Sequence, residues 1–104
     1  MSEQISVAEA GVNAGEECVL QVLVTNQLGL HARPASQIAR EAQAFASSIT
    51  IVAEDQIADA KSILDLLTLA AAQGSTLEIR ANGSDANQAV SRISELFAAK
   101  FGEK

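Results

Sequence analysis

One imidazole is present among 104 residues, and its neighbours are those that phosphate chemistry requires. His31 lies in Gly29-Leu30-His31-Ala32-Arg33-Pro34-Ala35, after a strand-like run and at the head of an Ala-rich, helix-forming segment. The start of a helix presents unpaired backbone N–H groups and a partial positive charge, a ready site for an anion. A neutral imidazole is a nucleophile near pH 7, because its reference pKa of about 6.5 leaves much of it unprotonated. Arg33, two residues on, offers a planar fork of donors that suits a phosphate. The pattern implies a histidine that accepts a phosphoryl group at a helix N-terminus. A lone histidine before a helix is more often an exposed boundary residue, and here the surrounding residues reverse that preference.

The elements that position His31 are legible from periodicity. Val19–Thr25 reads as a strand with Leu20, Val22 and Val24 on one face, and Asn26–Leu30 as the loop that delivers His31. A first helix is predicted over about Ala32–Ala44, with Ala35, Ile38, Ala39, Ala42 and Phe45 at helical spacing. Pro34 fits its first turn, where an N–H has no intrahelical partner. Ser48–Ala53 is a second strand, Glu54-Asp55-Gln56 a polar turn, and Ile57–Ala60 a short third strand. Ser62 has the chemistry of an N-cap for a short helix through Leu67. That helix carries too many leucines and isoleucines for one buried face. Ile63, Leu64 and Leu67 are therefore either a docking patch or a seal on the core. Thr76–Ala81 is a fourth strand, with Leu77 and Ile79 inward. After the Asn82-Gly83 turn, Ser84 or Asp85 caps a last helix whose buried stripe is Ala86, Val90, Ile93, Leu96, Phe97 and Phe101. The order β-α-β-β-α-β-α, with one apolar face per helix, predicts an α+β open-faced sandwich, a four-stranded antiparallel sheet with three helices on one face.

Composition narrows the function classes. The length fits one small domain. Residues 1–17 hold Glu3, Glu9, Glu16 and Glu17 without Lys or Arg, so they carry −4 of the net charge of −6 and the rest is nearly balanced. We read 1–17 as a mobile acidic extension, with a short helical tendency at Val7–Ala10, and 18–104 as the folded domain. An acidic chain with no Trp or Tyr has neither the basic patch nor the stacking platform for direct nucleic-acid binding. No apolar run is long enough for membrane insertion, and the first residues lack a signal-peptide pattern, so a cytoplasmic protein is expected. One His and one Cys are a poor basis for a metal site, and Cys18 reads as an inert thiol at a strand start. No metal and no cofactor are expected.

The stretch Asn26-Gln27-Leu28-Gly29-Leu30-His31-Ala32-Arg33-Pro34-Ala35 resembles the active-site signature of the HPr family, the histidine-containing phosphocarriers of the bacterial phosphoenolpyruvate:sugar phosphotransferase system. Ala60-Lys61-Ser62-Ile63-Leu64 resembles that family's regulatory serine motif, at the family interval from His31, and Leu69 through Gly74 matches its next landmark. The resemblance covers about residues 18–101. It implies that His31 takes a phosphoryl group on Nδ1 from phospho-enzyme I, with phosphoenolpyruvate the ultimate donor, and passes it to an enzyme IIA domain. Arg33 and the first-turn backbone N–H groups at Ala32 and Arg33 would hold the phosphate without locking it in place. Ser62 would be the target of an HPr kinase/phosphorylase, its phosphate repelling acidic partners and covering the apolar patch. Arg40, Lys61, Ile63, Leu64 and Leu67 would dock partners, and the chain would act as a monomer.

Three departures accompany the resemblance. Residues 1–16 are an unusual addition. Asp65 follows Lys61 by one turn, where many relatives carry a basic or small residue. Ala70-Ala71-Ala72 replaces a common glycine, which is expected to stiffen the helix end. Two further readings stand beside the carrier: a mainly regulatory interaction protein acting through Ser62, and a carrier of the nitrogen-related branch. A conventional enzyme is disfavoured, since there is no nucleotide-type Gly-rich loop and no second histidine.

Overall fold

The alternation of Leu77, Ile79 and Ala81 with Glu78 and Arg80 makes one strand the axis of the molecule. In the computed structural model, which describes residues 17–104, that strand pairs on both sides. The elements are β1 (Glu17–Leu23), α1 (Ala32–Ala42), β2 (Ser48–Ala53), β3 (Gln56–Asp59), α2 (Ile63–Thr68), β4 (Thr76–Asn82) and α3 (Ala86–Ala98), followed by a tight 3-10 turn at Lys100–Gly102. The sheet order is β1-β4-β2-β3, and every pairing is antiparallel. Leu20, Ile79, Ile51 and Ala58 form one cross-strand row on the helix side, and Val19, Arg80, Thr50 and Asp59 a row on the other. The predicted α+β open-faced sandwich is the observed architecture. Apart from Glu17, the predicted N-terminal extension and the helical tendency at Val7–Ala10 lie outside the described residues.

Three helices close one face. α3 packs on β1, β4 and β2, α2 packs on β3 and α1, and α1 lies between α2 and α3. Ile38, Ile49, Ile51, Leu66, Leu77, Ile79, Ile93 and Phe97 are buried between the layers. Each contributes about 1.5–3 kcal/mol by leaving water.

Boundaries shift where hydrogen bonding overrides pattern. β1 runs two residues earlier than predicted, and Val24 lies beyond it. Val24 is buried nonetheless, its N–H donating to Ser75 O (2.9 Å) and its carbonyl accepting from Gly74 N (2.8 Å). Leu20 faces the helices but stays 41 % exposed, because β1 is an edge strand. α1 stops at Ala42, β3 begins at Gln56, and Glu54 turns the hairpin with φ +55°. Cys18 is half-buried in β1, its thiol 3.3 Å from Asn87 Oδ1.

Two expectations are corrected. Asp85 is the N-cap residue of α3, but its carboxylate caps nothing there. It accepts instead from Ala46 N and Ser47 N, both at 2.9 Å, and from the Ser47 hydroxyl, fastening the entry to β2. The Ala70-Ala71-Ala72 stretch, expected to stiffen the helix end, lies beyond α2. The helix ends at Thr68 and Ala70 adopts φ +50°, because the chain must turn there to bring Ala71 O to Leu30 N (2.8 Å).

Phe101 is buried as expected, but beyond α3. Lys100, Phe101 and Gly102 all have positive φ and swing the chain back across α1. Each non-glycine residue in that region costs about 1–2 kcal/mol. The Phe101 ring, 4 % exposed and edge-on to Phe97 at 4.9 Å, offsets this. Its burial contributes about 1.5–3 kcal/mol and the aromatic pair about 0.5–1.5 more.

Candidate functional site: a histidine at the head of α1

The loop from Asn26 to Leu30 is built backwards from His31. Gly29 takes φ +68°, its N–H donates to Asn26 O (3.2 Å), and Asn26 Nδ2 donates back to Gly29 O (2.8 Å). His31 is the N-cap residue of α1, with extended backbone (φ −95°, ψ −168°). Its carbonyl accepts from Ala35 N at 3.0 Å, and its side chain makes no capping bond. The imidazole is therefore not spent on capping α1. Pro34 has no N–H, so the first turn of α1 offers the amides of Ala32 and Arg33 beside the ring, at the positive end of the helix dipole.

His31, Arg33, Gln27, Leu28, Glu103 and Lys104 line an open hollow of about 330 Å³. His31 and Arg33 thus share one site, as their spacing implied, and Leu28 stands beside them 73 % exposed. Glu103 is the residue that the sequence did not disclose. Its carboxylate lies 2.8 and 3.0 Å from His31 Nε2, and Oε1 also accepts from buried Asn26 Nδ2 at 3.0 Å. These hydrogen bonds, His31 foremost, hold the Glu103 carboxyl below its ordinary range; partial desolvation opposes them, and the Arg33 charge adds to them. Gly102 after an amphipathic helix signals a turn, but nothing in the pattern gives its direction.

The remaining candidates lie outside this hollow. Arg40 shares with Arg33 a second groove, of about 350 Å³, between α1 and α3, where Arg92 is held by Glu41 at 2.9 Å. Lys61 does not project freely: it is half-buried and its Nζ donates to Phe45 O at 2.9 Å, just past the end of α1. Ser62 caps α2, its hydroxyl accepting from Asp65 N at 3.2 Å. Asp65 Oδ2 in turn accepts from Asp59 N (3.2 Å), so a carboxylate sits beside the serine. On α2, Leu66 is fully buried, while Ile63, Leu64 and Leu67 are exposed. One leucine seals the core and three apolar side chains face outward. Among the described residues, no helix is long and apolar enough to cross a membrane.

The family described as "PTS HPr component phosphorylation site" matches residues 18–99, the span that contains both motifs and nearly all of the fold. The chain belongs to the HPr family. It is similar to the phosphocarrier protein HPr of Mycoplasma capricolum, 42 % identical over 73 residues, 70 % of this chain and 82 % of that one. It is also similar to the phosphocarrier protein NPr of Shewanella violacea, 43 % identical over 83 residues, 80 % of this chain and 91 % of that one. The crystal structure of HPr from Thermoanaerobacter tengcongensis superposes with a TM-score of 0.80 at 32 % identity, covering 84 % of this chain and 98 % of that one. HPr-family chains are phosphocarriers of the phosphotransferase system, and the one histidine of this chain stands in its matched signature.

Proposed function

We propose that His31 accepts a phosphoryl group from phospho-enzyme I and passes it to an enzyme IIA domain. The observation that carries this reading is the imidazole at the head of α1, in one hollow with Arg33 and beside the free first-turn amides. In the transfer, the Nδ1 lone pair attacks phosphorus as the donor's N–P bond breaks and its electron pair returns to the donor nitrogen. The resemblance to the family favours Nδ1, and Nε2 is already engaged by Glu103. The guanidinium of Arg33 and the N–H groups of Ala32 and Arg33 would bind the phosphoryl oxygens. These contacts, in an open hollow, hold the group without enclosing it, which suits a carrier that must release what it takes.

Docking falls to the exposed apolar side chains Ile63, Leu64 and Leu67 on α2, to Leu28 beside His31, and to the cations Arg33 and Arg40. A regulatory phosphate on Ser62, added by an HPr kinase/phosphorylase, would carry about −1.5 to −2 charges. It would stand beside Asp65, whose carboxylate opposes it, so transfer through His31 is the leading role and Ser62 signalling the secondary one. A carrier of the nitrogen-related branch is a second reading, favoured by the 43 % identity with a protein named NPr.

The test is incubation with enzyme I, Mg²⁺ and phosphoenolpyruvate, followed by intact-mass and acid-lability analysis beside His31→Ala. An acid-labile phosphate absent from the variant supports the carrier reading. No transfer from enzyme I of the same organism overturns it. Offering the phosphorylated protein to enzyme IIA domains of the sugar and nitrogen branches then separates the two branches by rate.

A further inference from the structure

Glu103 reaches His31 across 72 positions of sequence, and the contact is held from several directions. The carboxylate spans Nε2 with both oxygens, at 2.8 and 3.0 Å. Asn26, wholly buried and fixed by its bond to Gly29 O, donates to Oε1 at 3.0 Å. The backbone is tied on either side, Glu103 N to Lys100 O at 2.8 Å and Gln27 N to Lys104 O at 2.7 Å. The three left-handed residues before Glu103 serve this placement, which is where strained backbone is commonly found.

We propose that Glu103 is a positioning residue that holds the proton of neutral His31 on Nε2 and so leaves Nδ1 as the phosphoryl acceptor. The inference rests on the phosphocarrier reading of His31. An ionised carboxylate only accepts hydrogen bonds, and neutral imidazole has one N–H to give. The tautomer with its proton on Nε2 satisfies the contact. The opposite tautomer sets a nitrogen lone pair against two carboxylate oxygens. The lowered titration range of Glu103 keeps the carboxylate ionised at neutral pH.

The same contact balances charge during transfer. When the Nδ1 lone pair forms the new N–P bond and the donor's N–P bond breaks, the Nε2 proton stays in place. The ring becomes a phosphoimidazolium, and its positive charge faces the Glu103 carboxylate. No proton has to leave or arrive, in either direction of the relay.

The experiment is ¹⁵N NMR of the His31 ring in the full chain at neutral pH, for the wild type, Glu103→Ala and Glu103→Gln, with the enzyme I-dependent transfer rate measured on each. The wild type is expected to show the Nε2–H tautomer almost alone. Glu103→Ala should give a mixture and slow transfer by about tenfold, the scale of one hydrogen bond to a charged group. In Glu103→Gln, Asn26 Nδ2 holds the remaining oxygen at the Oε1 position, so the amide NH2 takes the place of Oε2, 2.8 Å from Nε2, and should turn the ring toward the Nδ1–H tautomer. An unchanged ring in Glu103→Ala, with a native amide spectrum, overturns the proposal whatever the transfer rate. The ring measurement needs no phosphoryl donor. A wild type that holds the Nε2–H tautomer, loses it in Glu103→Ala and yet takes no phosphate overturns the carrier reading and leaves the positioning role standing.

Discussion

Gly29 lies directly against the carbonyl of Ala71. Leu30 N donates to that oxygen at 2.8 Å, and a Cβ on Gly29 would collide with it. The loop that delivers His31 and the turn that follows α2 are thereby joined, and Gly29 at φ +68° is the point of closest approach. Gly29→Ala is expected to destabilise the fold by roughly 2 kcal/mol or more, since left-handed strain and a backbone clash add. It should also slow phosphoryl acceptance by shifting His31. Urea unfolding and the enzyme I assay read the two effects, and a neutral variant would show that the loops part easily.

Arg33 is exposed and sits in the first turn of α1 beside His31. Arg33→Ala should leave the melting temperature nearly unchanged and slow transfer at least about tenfold, since one charge-assisted phosphate contact is worth roughly 1.5–3 kcal/mol. Unaltered kinetics with enzyme I would remove Arg33 from the site.

Leu64 and Leu66 are neighbours with opposite fates, 76 % and 0 % exposed. Leu66→Ala should cost about 2–5 kcal/mol as a cavity-forming change. Leu64→Asp should cost under about 1 kcal/mol of stability and weaken binding to enzyme I. Calorimetric melting with a binding titration separates them, and a large thermal loss at Leu64 would place it in the core.

Ala70 occupies a left-handed position, where a Cβ is unfavourable by about 1–2 kcal/mol. Ala70→Gly relieves that strain and makes the unfolded chain more flexible, two effects of opposite sign. The net expectation is a gain of up to about 1 kcal/mol. A lower denaturation midpoint in the variant would mean that the turn is held by Ala70 packing.

The Asp85 carboxyl is held below its ordinary range by the Ser47 hydroxyl, with Ala46 N–H and Ser47 N–H assisting. Its folded value lies below its unfolded one, so the unfolded chain binds the proton more tightly. The contribution is complete above about pH 4–5 and is lost as pH falls through the folded value. Asp85→Asn should therefore lower stability at neutral pH and flatten the acid limb below about pH 4. Denaturation midpoints between pH 2 and 7 test this, and parallel profiles for both proteins would refute it.

Much of the site was readable because its parts are close in sequence. His31, Arg33 and Pro34 fall within one helical turn, so their relation depends only on local geometry. Ser62 and its helix follow from the same short-range chemistry, whereas a helix too apolar for one buried face left open whether Ile63, Leu64 and Leu67 dock a partner or seal the core, and the structure exposes all three. Side chains with polar ends were harder to place. Lys61, expected among the docking residues, donates to Phe45 O, and the Asp85 carboxylate, expected to cap α3, accepts from Ala46 N and Ser47 N instead.

The sequence by itself determined the element order, the sandwich, the placement of His31 at the head of α1 and the family. Periodicity and capping act over a few residues, and every one of these features is carried by such short spans. Tertiary structure alone decided that Glu103 faces His31, that Asn26 braces it and that Ala71 meets Gly29. Those contacts depend on the direction in which Lys100, Phe101 and Gly102 turn the chain after α3, and on the left-handed bend at Ala70. Such directions are set by what remains to be buried and bonded once the sheet and helices have closed.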